Sequence, residues 1–430
     1  MKIESPPSAP LNEAIIKDLG KFKDFLNIAE NRYFYWEDLK YRKDIPYDDP
    51  HKAWQLIKFN RFIKHESLLI AGKIFKFHQT NQIQRDLHEF DLKMIGGLYE
   101  NPITSSEKVE YLGNSLNEEA IASSQIEGAA TTTKVAWNML KTGRAPRNES
   151  EQMIFNNLRA IQFIEGEKGH DLDFGLIIEL HRIMTKNTKA EACAGNFRRG
   201  PIYVTDHVDG EVAHIPPDWQ EIDGLMQSVC SFANQDEPFI HPIIKASIIH
   251  FLIGYIHPFT DGNGRTARSL YYWYLFKKGY SLIKNISISR VILESRIQYD
   301  KAFLKVEADD LDLNYFIIYS TRSLRIAFEN LIRYRDRKKS QRDLYHSIAA
   351  LLREKGLNKR QADLIGYLYV KDSQTVNITN YAKKHDVVRQ TAKVDLSELR
   401  NSGFLSSERV GRDVLYKLIS KEVVDSFLQL

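Results

Sequence analysis

The sequence predicts a mainly α-helical protein with a β-hairpin in its middle and a small domain of helices and strands at its C-terminal end. Apolar residues recur at helical spacing along most of the 430 residues. The stretch GPIYVTDHVDGEVAHIPPD (200–218) interrupts this pattern and predicts two strands around an Asp-Gly turn. After residue 340, the pattern predicts three short helices and then a strand, a turn and a strand, which is the order of a winged helix-turn-helix.

The composition is typical of a globular protein of a reducing compartment. The net charge of +4 is too small to indicate nucleic-acid or membrane binding by itself. The two cysteines, Cys193 and Cys230, lack the spacing of a metal site or a disulfide framework. The N-terminus has no apolar signal segment, and the most apolar run (247–257) is too short to cross a bilayer. We therefore expect a cytoplasmic protein without membrane contact.

The order of segments predicts four parts. The first ten residues, rich in Pro and Ser, are expected to form a loose arm, and helices are expected over 11–100, including 51–77. Residues 332–360 hold ten basic and three acidic side chains, which places a domain boundary near 335–345. The predicted parts are an N-terminal helical region (1–106), a core (107–300), a helical linker (301–340) and the winged helix (341–430).

The segment IHPFTDGNGRTAR, which begins at residue 256, concentrates reactive side chains in a loop. Pro258 is expected to end the preceding helix near His257, and the next helix is expected to start at Arg265. The conformational freedom of Gly262 and Gly264 lets backbone N–H groups converge at that helix start, where the helix dipole favours phosphate. The segment therefore predicts a nucleotide-binding loop.

Charged side chains around this loop fit the same chemistry. Arg265 and Arg268 lie on one face of the following helix, where both can reach phosphate oxygens. Asp261 can hold Mg²⁺, which takes few protein ligands and completes its shell with phosphates. A neutral His257 can accept the proton of an attacking hydroxyl.

Other glycine-rich motifs fit this loop less well. A P-loop needs Lys followed by Ser or Thr after the glycines, and an EF-hand needs oxygen ligands where Arg265 and Tyr272 stand. His257 alone is equally consistent with a packed core histidine, but the glycines, the aspartate and both arginines together favour the nucleotide loop. His241 and His250 lack a third metal ligand of suitable geometry, so we expect structural roles for both.

The pattern His257-x-Phe259-x-Asp261-Gly262-Asn263-Gly264-Arg265-x-x-Arg268 resembles the signature of the Fic family, with all eight specified positions filled. The resemblance covers about 107–300 and implies a helical core that transfers AMP from ATP to a hydroxyl of a target protein. It implies that His257 is the base, that Asp261 holds Mg²⁺ and that Phe259 is a core anchor. The implied ATP-binding residues are Gly262, Asn263, Gly264, Arg265 and Arg268. Fic phosphotransferases carry lysine at the position of Gly264, so the glycine argues against that activity.

The hairpin over 202–215 resembles the flap of Fic proteins, which pairs with an extended target segment by β-augmentation. Three residues on each strand are expected to face each other: Ile202, Tyr203 and Val204 opposite Val212, His214 and Ile215. The candidate target-binding residues are Ile202, Tyr203, Val204 and His214. For Tyr203 and His214, packing within the flap is an equally compatible role.

The upstream segment AIASSQIEGAA suggests a regulatory element. Ser124-x-x-Glu127 fits a capping box and Gly128 a helix stop, and the residues alone favour that interpretation. Ser123-x-x-x-Glu127-Gly128, however, resembles the inhibitory motif of Fic proteins that carry an N-terminal helix, here near 115–128. This resemblance implies that Glu127 pairs with the arginine at 268 and keeps ATP from binding productively. In some relatives such a glutamate also supports removal of AMP.

The sequence of the C-terminal domain is compatible with more than one kind of partner. The charged residues of its candidate recognition helix (388–402) have both signs: Arg389, Lys393, Arg400, Asp395 and Glu398. Residues 361–430 contain ten basic and nine acidic side chains, so DNA binding and protein contacts or homodimerisation are both open. AMP transfer is the predicted function. The alternatives are a DNA-binding regulator whose Fic core senses nucleotide, and removal of AMP from a modified protein.

Overall fold

The computed structural model describes residues 3–10, 13–70, 72–96, 105–206, 209–371, 374–411 and 413–429. These residues are mainly helical, which confirms the predicted fold class. The chain divides into two compact units, Met1–Glu329 and Asn330–Leu430. Among the helices within the described ranges, none has the length and apolarity needed to span a membrane. The predicted divisions at 106 and 300 stay predictions, and residues 97–104 beside the first of them lie outside the described residues.

The first unit begins with helices and one hairpin that the sequence analysis missed. These elements are α1 (Glu13–Lys21), α2 (Lys23–Arg32), α3 (Trp36–Leu39), α4 (Pro50–Phe62), β1 (Glu66–Ile70), β2 (Lys73–Phe77) and α5 (Asn81–Asp91). The helix predicted over 51–77 is wrong beyond Phe62, because β1 pairs antiparallel with β2. Short apolar runs fit both periods, and Gly72, with φ of 71°, lies in the tight turn between the strands.

The predicted N-terminal arm is tethered. The Glu4 carboxylate accepts a hydrogen bond from the Trp36 indole (2.7 Å), and its backbone oxygen accepts one from the Tyr35 hydroxyl (2.7 Å). Residues 3–10 adopt neither helix nor strand. The absence of regular structure was therefore predicted correctly, and the attachment at Glu4 was not.

The rest of the first unit packs around two helices, Pro242–Ile256 and Asn263–Lys277. Its elements are α6 (Ser105–Ile126), α7 (Thr133–Thr142), α8 (Glu149–Gly166), α9 (Phe174–Thr185), β3 (Val204–Thr205), β4 (Val212–His214), α10 (Ile222–Asn234), α11 (Pro242–Ile256), α12 (Asn263–Lys277), α13 (Ile288–Glu294) and α14 (Arg296–Ala308). Every residue of α11 except Pro242 and Gly254 is buried, as expected of a helix that is apolar on all sides. α12 packs against α11 and α8, so the loop that joins α11 to α12 is anchored in the core.

A long helix and a small sheet build the second unit. The elements are α15 (Asn314–Glu354), within which the unit boundary falls, then α16 (Lys359–Val370), β5 (Thr375–Asn377), α17 (Ile378–His385), α18 (Arg389–Asn401), β6 (Leu405–Val410), β7 (Asp413–Leu418) and α19 (Lys421–Leu428). The strands lie in the order β5-β7-β6, all antiparallel. The three predicted helices and the hairpin are present, whereas β5 and α19 were not predicted. The predicted linker (301–340) covers the end of α14, residues 309–313 and the first part of α15, and the predicted boundary region (335–345) lies within α15.

Candidate active site

The loop between α11 and α12 is shaped by its backbone. His257 takes a left-handed conformation (φ 52°) and ends α11 just before Pro258. Gly262 is also left-handed (φ 84°), and α12 begins at Asn263. The predicted helix start at Arg265 is therefore two residues too late. The loop leads directly into a helix N-terminus, whose first N–H groups have no intrahelical acceptors.

The His257 ring is held in one tautomer. Its Nδ1 lies 2.9 Å from the carbonyl oxygen of Gly254. Because a carbonyl oxygen only accepts, Nδ1 carries the proton, and Nε2 is unprotonated in the neutral ring. Burial lowers the pKa of His257 below its ordinary value of 6.5. At pH 7 the ring is therefore a neutral base.

Three side chains fold the loop onto the core. The Asn263 amide accepts from the Phe259 N–H (2.8 Å) and donates to the Phe259 carbonyl oxygen (2.7 Å). The Phe259 ring is fully buried and stacks on His181, with centroids 3.8 Å apart, which supports its predicted role as an anchor. The Asn263 side chain is thereby committed to the loop, so a contact between this residue and a nucleotide has to come from its backbone.

His181 is a site residue that the sequence analysis missed. Its Nε2 donates to the Asp261 carbonyl oxygen (2.9 Å), and its Nδ1 accepts from the Gly195 N–H (3.0 Å). Burial lowers the pKa of His181, so the neutral ring that makes both bonds is favoured. His181 lies on α9, far from the loop in sequence, and no local pattern marks it.

Arg198 fixes the loop from its other side. Its Nε donates to the His257 carbonyl oxygen (2.9 Å), and its terminal nitrogens donate to the carbonyl oxygens of Gly200 (2.9 Å) and Pro217 (2.6 Å). Its own N–H donates to the Pro258 carbonyl oxygen (2.9 Å). The side chain therefore links the loop between α11 and α12 to the segments that flank the hairpin.

Asp261 and Arg265 have different surroundings. The Asp261 side chain is 55% exposed, and its Oδ1 accepts from the Gly262 N–H (2.5 Å). Arg265 is buried, donates to the Met184 carbonyl oxygen (3.2 Å) and lies 3.5 Å from Asp261 Oδ2. The Arg265 side chain supports the loop, and its predicted contact with ATP stays a prediction.

The surroundings of Asp261 fit a metal bound mainly by its substrate. No group of three or more His, Cys, Asp or Glu side chains that could hold a metal ion occurs within the described residues. A single accessible carboxylate beside a helix N-terminus is the donor set expected for Mg²⁺ that takes its other ligands from phosphates.

Arg268 is buried and bonded to the end of α6. Its Nε donates to Ser123 Oγ, and its Nη2 donates to the Ser123 carbonyl oxygen and to Glu127 Oε1, each at 2.9 Å. Its buried Nη1 has no partner among the described residues. The pair of Glu127 with Arg268 that the resemblance implies is thus present, and one strong donor remains for an anion.

Glu127 occupies the concavity at the start of α12. A Cβ placed on Gly264 would overlap Glu127 Oε1 and would lie 3.1 Å from Arg268 Nη1. Burial favours a higher pKa for Glu127, but the charges of Arg268 and Arg265 outweigh it and hold this pKa below its usual value. The ionised carboxylate therefore lies against the glycine and the arginine that were predicted to bind phosphate.

The end of α6 is not an N-terminal cap. Ser124 lies inside the helix and donates to the Ala120 carbonyl oxygen (2.8 Å), so the capping-box alternative is wrong. Gly128 is left-handed (φ 91°), which agrees with its predicted role as a helix stop. Arg296 Nη1 donates to the Ile126 carbonyl oxygen (2.8 Å) and holds the last turn in place.

A buried carboxylate earlier in α6 fixes this helix in the core. Glu119 accepts hydrogen bonds from the Tyr272 hydroxyl (2.9 Å), the Ser287 hydroxyl (2.9 Å) and the N–H and hydroxyl of Ser289. These bonds connect α6 to α12 and to the start of α13. No local sequence pattern marks Glu119, because its partners lie more than 150 positions away.

The hairpin is present but shorter than predicted. β3 and β4 pair antiparallel through Val204↔His214 and Thr205↔Val212, with an irregularity between the pairs. Ile202 and Tyr203 precede β3 outside the ladder, and residues 207–208, just before the predicted Asp209-Gly210 turn, lie outside the described residues. Because this irregularity interrupts regular pairing, the ladder between β3 and β4 is limited, among the described residues, to these two residue pairs.

His214 is bonded within the chain. Its Nδ1 lies 2.7 Å from Glu307 Oε2, and its Nε2 lies 2.7 Å from the carbonyl oxygen of Tyr255. The side chain is almost buried, whereas Tyr203 is 59% exposed. The structure therefore favours the packing alternative for His214 and leaves the surface of the hairpin to Tyr203.

A cavity of about 280 Å³ joins these parts. Its lining includes Glu127, His257 and Gly264 together with residues of β3, β4 and α14. From α14 come the large side chains Tyr299, Phe303 and Leu304 and the charged side chains Arg296, Asp300 and Glu307. A cavity lined by both charged and aromatic side chains suits a ligand that combines phosphates with an aromatic base.

The two histidines with predicted structural roles each contact another side chain. His241 Nε2 lies 3.0 Å from Asp91 Oδ2, and His250 Nε2 lies 3.0 Å from the Tyr299 hydroxyl oxygen. Both contacts support packing roles rather than metal binding.

Part of the predicted core matches a known protein family. Residues 171–275 match the model described as the Fic/DOC family. The chain is 27% identical over 183 residues to Protein adenylyltransferase Fic of Nematostella vectensis, which is 42% of this chain and 40% of that protein. It is 31% identical over 161 residues to the protein of the same name from Drosophila melanogaster, covering 36% of this chain and 31% of that protein. The chain thus spans less than half the length of these relatives.

Solved structures show the fold. A Fic family protein from Desulfovibrio desulfuricans G20 has a TM-score of 0.51 at 16% identity, over 78% of this chain and 94% of that one. A fragment of Fic-1 from C. elegans has a TM-score of 0.53 at 18% identity, over 76% of this chain and 89% of that one. At these identities the likeness concerns the fold alone.

Proposed function

Residues 171–275 form a Fic domain, and from this premise we propose that the chain transfers AMP from ATP to a Ser, Thr or Tyr hydroxyl of a target protein and of itself. The observation that carries the proposal is the position of a neutral base, His257, in the same cavity as Gly264 at the start of α12. The similar curated proteins are named protein adenylyltransferases, which supports AMP as the transferred group.

His257 acts as the general base. Its unprotonated Nε2 takes the proton of the target hydroxyl while the hydroxyl oxygen bonds to the α-phosphorus of ATP. The bond from that phosphorus to the oxygen bridging to the β-phosphate breaks, and pyrophosphate leaves. Because the Nδ1 proton is held by the Gly254 carbonyl oxygen, the ring keeps its orientation as Nε2 gains a proton.

The start of α12 binds the phosphates. Backbone N–H groups of Asn263 and Gly264 supply donors and the positive end of the helix dipole, and the Gly262 N–H joins them when Asp261 Oδ1 releases it. Arg268 supplies Nη1, which has no partner among the described residues. The aromatic side chains Tyr299 and Phe303 in the same cavity offer a surface for the base of ATP. Mg²⁺ bound with ATP offsets the charge of the phosphates, and Asp261 is the residue that would hold it.

Glu127 restrains this reaction. Its carboxylate lies against Gly264 and is bonded to Arg268, so it competes with the terminal phosphates for the same donors. Two anions do not share one buried guanidinium without strong repulsion. Productive ATP binding therefore requires Glu127 to leave Arg268.

The hairpin is the surface that binds an extended segment of the target. Val204 begins β3 and lines the cavity, and the half-buried Ile202 and the exposed Tyr203 lead into this strand. A short, irregular strand of this kind suits pairing with an extended segment. His214 contributes by holding β4 to α14 and α11 through its two hydrogen bonds.

Removal of AMP is a second candidate, favoured by the carboxylate of Glu127 in the cavity that holds His257. In that reaction Glu127 orients a water molecule towards the phosphorus of an AMP-modified side chain. Loss of AMP from a modified protein that is fast with the wild-type chain and slow with Glu127→Gly supports it. Equal loss with both chains refutes it.

Label transfer tests the reaction class. The Glu127→Gly chain is incubated with Mg²⁺ and ATP labelled at either the α- or the γ-phosphate. We expect protein-bound label from α-labelled ATP only, and loss of that label in a chain that also carries His257→Ala. Protein-bound label from γ-labelled ATP alone refutes AMP transfer and indicates phosphotransfer.

A further inference from the structure

We propose that the second unit binds duplex DNA through one solvent-facing stripe of α18. The stripe is defined by the exposed or half-buried residues Arg389, Gln390, Lys393, Val394, Ser397, Arg400 and Asn401. They recur every three or four positions and so share one side of the helix. The opposite side packs into the core of the unit through Ala392, Asp395, Leu396 and Leu399.

Neither acidic residue of α18 belongs to this stripe. Asp395 is only 3% exposed and accepts hydrogen bonds from Arg360 Nε (2.7 Å), Asn358 Nδ2 (2.9 Å) and the Tyr381 hydroxyl (3.1 Å). Its charge is therefore neutralised inside the unit. Glu398 is exposed at the border of the stripe, one turn after Val394, and its Oε2 accepts from Gln361 Nε2 (2.7 Å) on α16.

The stripe is thus basic although residues 361–430 as a whole are nearly balanced in charge. Among the described residues of α18, all three cations lie on the stripe and both acids lie off it. The balanced count of charges, which left DNA binding open in the sequence, hides this separation. Arg and Lys side chains bind phosphate oxygens, and the amide and hydroxyl side chains beside them can form hydrogen bonds with base edges.

The supporting geometry is that of a helix-turn-helix. α17 packs on α18, and residues 386–388 join them in a short turn that Asp386 starts in a left-handed conformation (φ 50°). In such motifs the second helix enters the major groove, which is about 12 Å wide. The hydrogen bonds to Asp395 fix the orientation of α18 on the unit and leave its basic side outward.

A protein partner fits this stripe less well. Cores of protein interfaces are rich in aromatic side chains and poor in lysine. The stripe contains one apolar side chain, Val394, and no aromatic one among its described residues. The basic charge of the stripe and its few apolar side chains therefore favour a polyanion with regularly spaced phosphates as its partner.

Fluorescence anisotropy of the full chain with a labelled mixed-sequence duplex of about three helical turns tests the proposal. The stripe variant combines Arg389→Ala, Lys393→Ala and Arg400→Ala. The control variant combines Arg353→Ala, Lys355→Ala and Lys359→Ala, which are exposed residues of the same unit and remove the same charge. Circular dichroism and thermal unfolding show that both variants are folded, as expected for exposed positions.

We expect the wild-type chain and the control variant to bind the duplex with a steep dependence on salt. The stripe variant should bind at least about tenfold more weakly near 0.1 M salt, with a shallower salt slope by about 2 to 3, since each phosphate contact adds about 0.9. Equal weakening in both variants means that general charge attracts DNA and overturns the assignment to α18. Failure of the wild-type chain to bind the duplex at low salt overturns DNA binding altogether.

Discussion

The substitution Glu127→Gln isolates the charge of the carboxylate, because it keeps the size of the side chain. In the wild-type chain Arg268 is 1% exposed, and Glu127 supplies the one acidic group bonded to it among the described residues. After the substitution the guanidinium keeps its two bonds to Ser123, and its charge is buried without a counterion.

The size of the effect follows from this burial. Removing one partner of a fully buried ion pair costs about 3–5 kcal/mol. Glu127 is 24% exposed, so water screens the pair in part, and we expect a loss of about 1–3 kcal/mol in unfolding free energy. For a large domain this lowers the unfolding temperature by about 2–8 °C.

ATP should reverse the loss. In the variant its phosphates supply the missing anion and meet no competing carboxylate, whereas in the wild-type chain they must displace Glu127. At a concentration of about 100 times Kd, ATP adds about 2.7 kcal/mol of stability to the chain that binds it. We therefore expect ATP with Mg²⁺ to raise the unfolding temperature of Glu127→Gln clearly more than that of the wild type.

Differential scanning fluorimetry with and without ATP measures both effects. The matched control is Glu118→Gln, which removes a carboxylate on the same helix that pairs with Arg290 (2.6 Å). That variant should show the ATP response of the wild type. If Glu127→Gln is as stable as the wild type without ATP and responds to ATP no more strongly, the competition between Glu127 and phosphate is refuted.

Three further predictions concern histidines and the loop. Because burial lowers the pKa of His257 and the neutral ring is the base, AMP transfer by Glu127→Gly should be level around pH 7 and fall only below about 6.5; a decline that begins above pH 7 contradicts this. Arg198→Lys loses the forked contacts to the loop and should slow transfer by about 10- to 100-fold without changing the ATP-induced thermal shift; an unchanged rate would show that the loop does not need them. Burial lowers the pKa of His250 to about 3, so unfolding takes up a proton below pH 6.5 and stability falls there as pH falls, by up to about 1.4 kcal/mol per pH unit. Thermal unfolding from pH 7 to 5 should show a flatter dependence in His250→Phe, and an equal slope excludes His250 as the source.

Local chemistry made the core predictable from the sequence. Pro258 ends α11 and the glycines shape the loop through backbone preferences that act over a few residues, and the eight specified positions led to the Fic resemblance, which the family match confirms. The contact between Glu127 and Arg268 was expected from that resemblance and is present in the structure. The periodic apolar pattern also sufficed for the mainly helical fold class.

Long-range contacts set the limits of the sequence analysis. His181 and Glu119 hold the loop and α6 through partners that are distant in the chain, so no spacing rule identifies them. Asn263 was predicted to bind ATP, which stays a prediction, and only the fold shows that its side-chain amide binds the backbone of Phe259. The strands β1 and β2 were missed because short apolar runs are compatible with either period.

The most direct test of the account is the intact mass of three purified chains after incubation with ATP and Mg²⁺: wild type, Glu127→Gly, and Glu127→Gly with His257→Ala. We predict that Glu127→Gly gains one or more adenylyl groups, that the wild type gains far fewer, and that the double variant gains none. Adenylyl gain in the wild type equal to that of Glu127→Gly contradicts the restraint by Glu127. Adenylyl gain that persists without His257 contradicts the assignment of the base, and with it the proposed mechanism.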